Sequence, residues 1–394
     1  MAGPLRGIRV VEACRFISGP LAGMLLGDLG AEVIKVEHPE GGDPFRGRPT
    51  ARRPFAPLFG AYNRNKQSIT LDLSNPRARD AYVALAERAD VVLENFRPGV
   101  ADRMGLGWER LRERNPRLIY CSITGFGPSG PYVDRASYDT VASGLSGLLS
   151  QLFDPKDPRP VGPAFSDGLT ALYAVQGVLA ALVGRATSGH GQRIDATMLG
   201  SVIGFQTDAV TSYLDEGHVA KPDTRVRLAQ VYGCLAADDL PFAVHLSWPP
   251  KFWQGLCTAI GRPELVDDPR FKTRDLRVEH YYELDAILRE AARQRPRAEW
   301  FALLEQLDVP FTPIYTIDEV FADPQVQHMG LVEEIPLPGC DEPLRTGGYP
   351  LRLSDTPCET TLPPPRLGEH TDALLRSLGY AETEIQALRA EKAI

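Results

Sequence analysis

The residue with the most chemistry to offer is Asp167, in the segment Phe165-Ser-Asp167-Gly168. It stands at the mouth of a stretch that carries no charged residue from Gly168 to Gly184. Small and apolar side chains dominate that stretch, so its pattern predicts a buried helix. Ser166 is the expected N-cap, which puts Asp167 in the first turn beside unpaired backbone N–H groups. Those groups favour an ionised carboxylate by about 0.3–1 kcal/mol at a surface, and by more where partly buried. A carboxylate in that position is either a structural cap or a nucleophile. Taken locally, the cap is the commoner role.

Composition bounds the alternatives. The 394 residues suffice for two domains and a large core, and 43% apolar with 24% charged residues is ordinary for a globular protein. A net charge of −8 argues against a general nucleic-acid binder, while leaving room for a local basic pocket. The six cysteines, Cys14, Cys121, Cys234, Cys257, Cys340 and Cys358, are dispersed without a Cys-x-x-Cys pair, as free thiols in a reducing compartment would be. The seven histidines show no metal-ligand spacing. There is no signal-peptide pattern, and no run of about eighteen apolar residues is found to span a bilayer. These observations predict a soluble cytoplasmic enzyme without metal, membrane or nucleic acid as partner.

The elements that must position Asp167 read as an α/β alternation. Strands are expected at Ile8–Ala13, Ala31–Glu37, Ser68–Asp72, Val91–Glu94 and Leu118–Ser122. Helices are expected at Gly19–Leu29, from Ser74-Asn-Pro76 to Arg88, and near Trp108–Arg114. That alternation means a parallel sheet with helices on its faces, a Rossmann-like large domain. Ligands in such sheets bind beyond the carboxyl ends of the strands. The segments to inspect are therefore Cys14–Pro20, Glu37–Arg46, Asn95–Arg103 and Thr124–Tyr138. A dinucleotide is disfavoured, because Gly19, Gly23 and Gly27 are spaced for helix packing and no Gly-x-Gly-x-x-Gly turn is present.

A smaller α+β domain is expected in the middle of the chain. It has a strand pair at Tyr232–Ala236 and Pro241–His245, and helices near Pro250–Ile260, Tyr282–Ala292 and Ala298–Gln306. The expected division is 1–224 for the first part of the large domain, 225–325 for the small domain, and 326–394 for a returning segment. That tail is rich in proline and ends in an amphipathic helix at Thr383–Arg389.

Several blocks occur in a fixed order. They are Ser18-Gly-Pro20, Asp28-Leu-Gly-Ala-Glu-Val-Ile-Lys-Val-Glu37, Asn63-Arg-Asn-Lys-Gln-Ser-Ile-Thr-Leu-Asp-Leu73, Ala89-Asp-Val-Val-Leu-Glu-Asn-Phe-Arg-Pro-Gly-Val100, Asn115-Pro-Arg-Leu-Ile119 and Gly189-His-Gly-Gln-Arg-Ile-Asp195. Together with Asp268-Pro-Arg-Phe271 and Leu367-Gly-Glu-His370, this string resembles the family III CoA-transferases of the CaiB/BaiF type, over essentially the whole chain. The resemblance implies that Asp167 is the nucleophile, working through an aspartyl anhydride and an aspartyl-CoA thioester. It implies acyl-CoA and a carboxylic acid as substrates, with no prosthetic group. Coenzyme A would be bound by Ile17, Ser18, His38, Leu71, Asn95, Phe96, Arg97, Arg103 and Tyr138. The resemblance also implies an interlocked homodimer. Covalent relay splits one hard step into easier ones, and an anhydride demands exclusion of water. On this reading Gly168 leaves room for the thioester, and nearby N–H groups hold its oxyanion.

Two departures bear on substrate. Ile17 replaces the glutamine of formyl-CoA transferases, and between Phe205 and His245 only Gly217 and Gly233 occur, so their glycine-run lid is missing. Oxalate and formate are thus disfavoured. Trp248, Phe252 and Trp253 either line an acceptor pocket or are core. Lys221, Arg225 and Arg227 either meet a second carboxylate or lie in a solvated linker. The alternatives to a transferase are an α-methylacyl-CoA racemase of the same superfamily and a non-catalytic CoA-binding protein. Racemases resembling this chain carry a histidine where Tyr138 stands, and no histidine lies between His38 and His190. A phenol titrating at about 10 shuttles protons at neutral pH far less readily than an imidazole at about 6.5.

Overall fold

The computed structural model describes residues 3–48, 50, 55–159 and 161–394. The chain forms two compact units. The larger comprises the chain up to Leu148, Gly162–Thr207 and Gly330–Ile394; the smaller comprises Leu149–Val161 and Asp208–Met329.

The larger unit is built on six strands, β1 (Arg9–Ala13), β2 (Glu32–Glu37), β3 (Lys66–Thr70), β4 (Val91–Glu94), β5 (Ile119–Thr124) and β6 (Arg193–Thr197). All pairings are parallel, in the order β3-β2-β1-β4-β5-β6. The order reverses between β1 and β4, and the crevice beyond their carboxyl ends is where such sheets hold ligands. Helices that frame the sheet include α1 (Ser18–Asp28), α2 (Pro57–Asn63), α3 (Pro76–Glu87), α4 (Val100–Arg103), α5 (Trp108–Arg114), α6 (Asp139–Leu145), α7 (Phe165–Ser188) and α8 (Met198–Phe205). On one face Tyr82 and Leu85 of α3 pack with Leu375 and Leu388 from two C-terminal helices, Thr371–Leu378 and Glu382–Ala390. On the other face α1 and α7 meet through Ala22, Leu26, Ala171, Ala174 and Val178.

The strands expected from the sequence are present, with one instructive shift. β3 begins at Lys66, two residues before the apolar alternation that marked it. Lys66 is buried in the sheet because its ammonium lies 2.7 Å from a carboxylate oxygen of Glu12, so a charged residue occupies an interior strand position. The helix α7 also differs from expectation. Only one face, through Thr170, Ala174 and Val178, is buried, while Leu172, Tyr173 and Val183 are exposed. By length and composition α7 is apolar enough to cross a bilayer, contrary to the sequence reading, yet its inner face belongs to the core of this unit.

The smaller unit has an antiparallel sheet of β7 (Val231–Leu235), β8 (Pro241–His245) and β9 (Phe311–Pro313), ordered β7-β8-β9. Helices Lys251–Ala259, Tyr281–Ala292 and Arg297–Gln306 enclose a core with Tyr232, Phe242, Trp253 and Trp300. Trp253 is core, Phe252 packs against it, and Trp248 is exposed, so the three aromatic residues form no single pocket wall. Arg225 pairs with Asp208 at 3.3 Å and Arg227 with Asp223 at 3.6 Å.

Candidate active site

The strand ends of the larger unit are held by buried charges. Lys35, directly beside Glu12 in the β1–β2 register, sits 2.9 Å from one Glu12 oxygen and 3.2 Å from Asp43, all with fully buried side chains. Its ammonium also donates to the Cys14 carbonyl at 2.9 Å, and that of Lys66 to the Pro20 carbonyl at 2.7 Å. The turn from β1 into α1 is therefore pinned at both ends. Glu12 reaches Lys66 only because Gly23 has no side chain: a Cβ there would lie 2.0 Å from its carboxylate. Burial acts to lower the Lys35 pKa, but Glu12 and Asp43 outweigh it and the net direction is up. Lys66 falls to about 8, since burial outweighs its share of Glu12.

Within the pinned turn, Asn95 clamps Arg15 by accepting its N–H at 3.0 Å and donating to its carbonyl at 2.9 Å. Phe16 follows in a left-handed conformation, φ 67°, which costs a non-glycine residue about 1–3 kcal/mol. Its ring meets Phe45 and Tyr138 edge-on, each at 5.9 Å between centroids. These aromatic contacts and the Asn95 clamp hold it there.

Two chambers open beyond the strand ends. One, of about 610 Å³, is lined by Ile17, Ser18, Asn95, Phe96, Arg97, Tyr138 and Asp167. The other, of about 590 Å³, is lined by His38, Leu71 and Phe96, with Asp72, Ser74 and Arg79. Arg15, Phe96 and Val100 border both, so the two form one continuous groove. Eight of the nine residues expected to bind coenzyme A thus line the groove that also holds Asp167. Arg103 lines neither chamber; its guanidinium folds over Gly99. The Asn95 side chain is occupied by Arg15, and Leu71 is buried in the core, so these two shape the wall. The His38 ring accepts the Glu40 N–H at 3.0 Å and lies 3.7 Å from Asp72.

Asp167 is in the first turn of α7, but Ser166 is not its cap. The N-cap is Ala164, and Ser166 lies inside the helix with its hydroxyl buried and unpartnered. The cap comes from a residue distant in sequence, Asp139, whose Oδ1 accepts from the N–H of Ser166 at 2.7 Å and of Asp167 at 3.2 Å. The Gly168 N–H bonds the Ala164 carbonyl at 3.1 Å. These helix-start donors are therefore committed within the chain, contrary to their expected role as oxyanion holders. At Gly168 a Cβ would meet nothing within 4 Å, leaving open space beside the carboxylate.

Burial raises the Asp167 pKa, Asp139 raises it further, and a hydrogen bond from the Ser18 hydroxyl works against both; the result is about 6. At neutral pH the group is mainly ionised. Tyr62 of α2 feels the Asp167 charge, its phenol pushed up by burial first and by Asp167 second. Asp139 and Tyr62 escaped the sequence reading, because neither stands in a local pattern with Asp167. Among the described residues no cluster of His, Cys, Asp and Glu is arranged to hold a metal ion.

Residues 5–371 match the model of CoA-transferase family III. The chain is 37% identical to succinyl-CoA:glutarate CoA-transferase of Mus musculus, over 98% of this chain and 89% of that protein. It is likewise 37% identical to succinate–glutarate CoA-transferase of Agrobacterium fabrum, over 96% of each. Among solved structures, a CAIB/BAIF family protein from Brucella suis superposes with a TM-score of 0.83 at 36% identity, covering 96% of this chain and all of that one.

Proposed function

The chain belongs to CoA-transferase family III, and from that premise we propose that it moves coenzyme A from succinyl-CoA to a free dicarboxylic acid through Asp167. The observation that carries this reading is the placement of a half-buried carboxylate with a pKa near 6 in the wall of a long groove. That groove is lined by cations and aromatic rings, among them Arg15, Arg97, Phe96 and Tyr138. The names of its relatives support succinyl-CoA as donor and a glutarate-like acid as acceptor.

In the proposed cycle the Asp167 carboxylate attacks the thioester carbonyl, expelling CoA thiolate and forming a mixed anhydride. The thiolate attacks the aspartyl carbonyl, giving aspartyl-CoA and free succinate. The acceptor carboxylate then attacks aspartyl-CoA, and the released thiolate takes the new acyl group, restoring the Asp167 carboxylate. No proton is gained or lost overall. Each covalent step replaces one difficult exchange with two easier ones. The aromatic contacts of Phe16, Phe45 and Tyr138 supply apolar walls beside the reacting carbon, which slows hydrolysis of the anhydride.

The test is exchange of isotopic label between free succinate and succinyl-CoA, followed by transfer to a panel of dicarboxylic and monocarboxylic acids. Transfer to five- or six-carbon dicarboxylates is expected. Absence of exchange with every acid would favour a CoA-binding protein without catalysis. In the same reaction without acceptor, a 2-methylacyl-CoA in deuterated water is expected to keep its α-proton. Tyr138 is 64% exposed and stands where a racemase would need a second proton carrier. Rapid deuterium incorporation would assign the chain to the racemases instead.

We further infer a homodimer in the cytoplasm. Leu172, Tyr173 and Val183 of α7, with Ile203 and Phe205 of α8, form an apolar exposed set that a second chain would cover. The six cysteines are all free, in keeping with a reducing compartment.

A further inference from the structure

We propose that Asp139 is a positioning residue for Asp167, occupying the helix-start donors that would otherwise hold the nucleophile and so leaving it free to attack. The proposal rests on the reading of Asp167 as nucleophile. Its starting point is the unusual capping of α7, in which the N-cap position is an alanine and the capping oxygen comes from another helix. An aspartate in a first turn would ordinarily draw on its own helix amides. A carboxylate held by two or three such N–H groups becomes a weaker base, and with it a weaker nucleophile. Here Asp139 takes the Ser166 and Asp167 amides, and Ala164 takes that of Gly168. The hydrogen bond that Asp167 does receive comes from the Ser18 hydroxyl.

The charge of Asp139 acts in the same sense. Two neighbouring carboxylates repel, and the repulsion disappears when Asp167 becomes a neutral anhydride or thioester. Asp139 therefore destabilises the free nucleophile relative to the covalent intermediates, which is differential stabilisation along the reaction. From the elements packed round it, Asp167 faces Ser18 of α1, Tyr62 of α2 and Asp139 of α6, and Arg15, Arg97, Arg135 and Tyr138 line the same chamber. Asp139 directly follows Tyr138 and opens α6, so it also fixes the distance between that chamber wall and the nucleophile.

Asp139→Asn tests the proposal, because the amide oxygen can still accept both N–H groups while the charge is gone. The readout is the rate of covalent adduct formation from succinyl-CoA, followed by intact-protein mass spectrometry across pH. Wild type is expected to lose rate tenfold per unit below about pH 6. In Asp139→Asn that acid limb is expected to move down by roughly half a pH unit or more, with a slower plateau. Asp139→Ser, a shorter neutral acceptor, should move the limb in the same direction and serves if the asparagine variant does not fold. An acid limb and a plateau rate that both coincide with wild type in folded Asp139→Asn and Asp139→Ser would show that neither the charge of Asp139 nor its hold on the amides affects the nucleophile, and would overturn the proposal. Absence of any adduct in wild type would instead refute the nucleophile reading itself, and this proposal with it.

Discussion

Replacing Asp167 with alanine is expected to lower CoA transfer by about a thousand-fold or more, while coenzyme A still binds. The substitution deletes the nucleophile and leaves the groove lined by His38, Phe96 and Arg97 intact. Intact mass after incubation with succinyl-CoA should show an adduct in wild type and none in the variant. Titration calorimetry with coenzyme A should give similar affinities for the two. Substantial turnover by the variant would remove Asp167 from the mechanism. The same substitution should stabilise the protein at neutral pH. The folded Asp167 pKa of about 6 stands above its ordinary 3.8, so between those values the native chain holds a proton that the unfolded chain has released. Stability therefore falls as pH rises through that window, and above it the native state bears the full cost of a buried charge. The alanine variant should melt higher than wild type at pH 7, and the difference should close below about pH 4. A variant that melts lower at pH 7 would mean the carboxylate is mainly a structural cap.

Lys35→Ala is expected to destabilise the protein by about 3–5 kcal/mol, read from the midpoint of urea unfolding. The ammonium it removes is shared by Glu12, Asp43 and the Cys14 carbonyl, and all three side chains are fully buried. Without it Asp43 loses its buried cation, and Glu12 keeps only Lys66. An uncompensated Asp43 beside a half-compensated Glu12 is costly in a dry interior. The double variant Lys35→Met, Asp43→Asn should recover part of the loss, because the acid left without a cation is then neutral and the Glu12–Lys66 pair is kept. If Lys35→Ala lost under about 1 kcal/mol, water would have to reach the strand ends and the proposed rigidity of the β1–α1 turn would fail.

The β1–β5 strands and the first helix were legible because their apolar residues repeat with periods that only one kind of element satisfies. The start of β3 was not legible, because Lys66 is read as solvent-facing until its partner Glu12, more than fifty residues earlier, is known. The helix α6 and the strand β6 gave no clear periodic signal. Tyr138 and Asp139 were in view as part of a segment, yet the capping bond from Asp139 was not, since it joins two helices twenty-seven residues apart in sequence. Ser166 was the natural local cap and lost that role for the same reason: a carboxylate from α6 satisfies the amides better than the serine hydroxyl at the second helical position.

By itself the sequence determined the α/β architecture, the place of Asp167 at a helix start and the segments that line the chambers beyond the strand ends. Each of these follows from local periodicity, from turn residues or from an ordered set of short motifs. Only the tertiary structure decided what surrounds the carboxylate: the capping by Asp139, the Ser18 hydroxyl, the Tyr62 phenol and the left-handed Phe16 beside them. The physical reason is that reactivity depends on desolvation and on neighbouring charge within a few ångströms. Those neighbours arrive from three separate segments, so their distances are set by packing across the sheet and leave no mark on the spacing of residues along the chain.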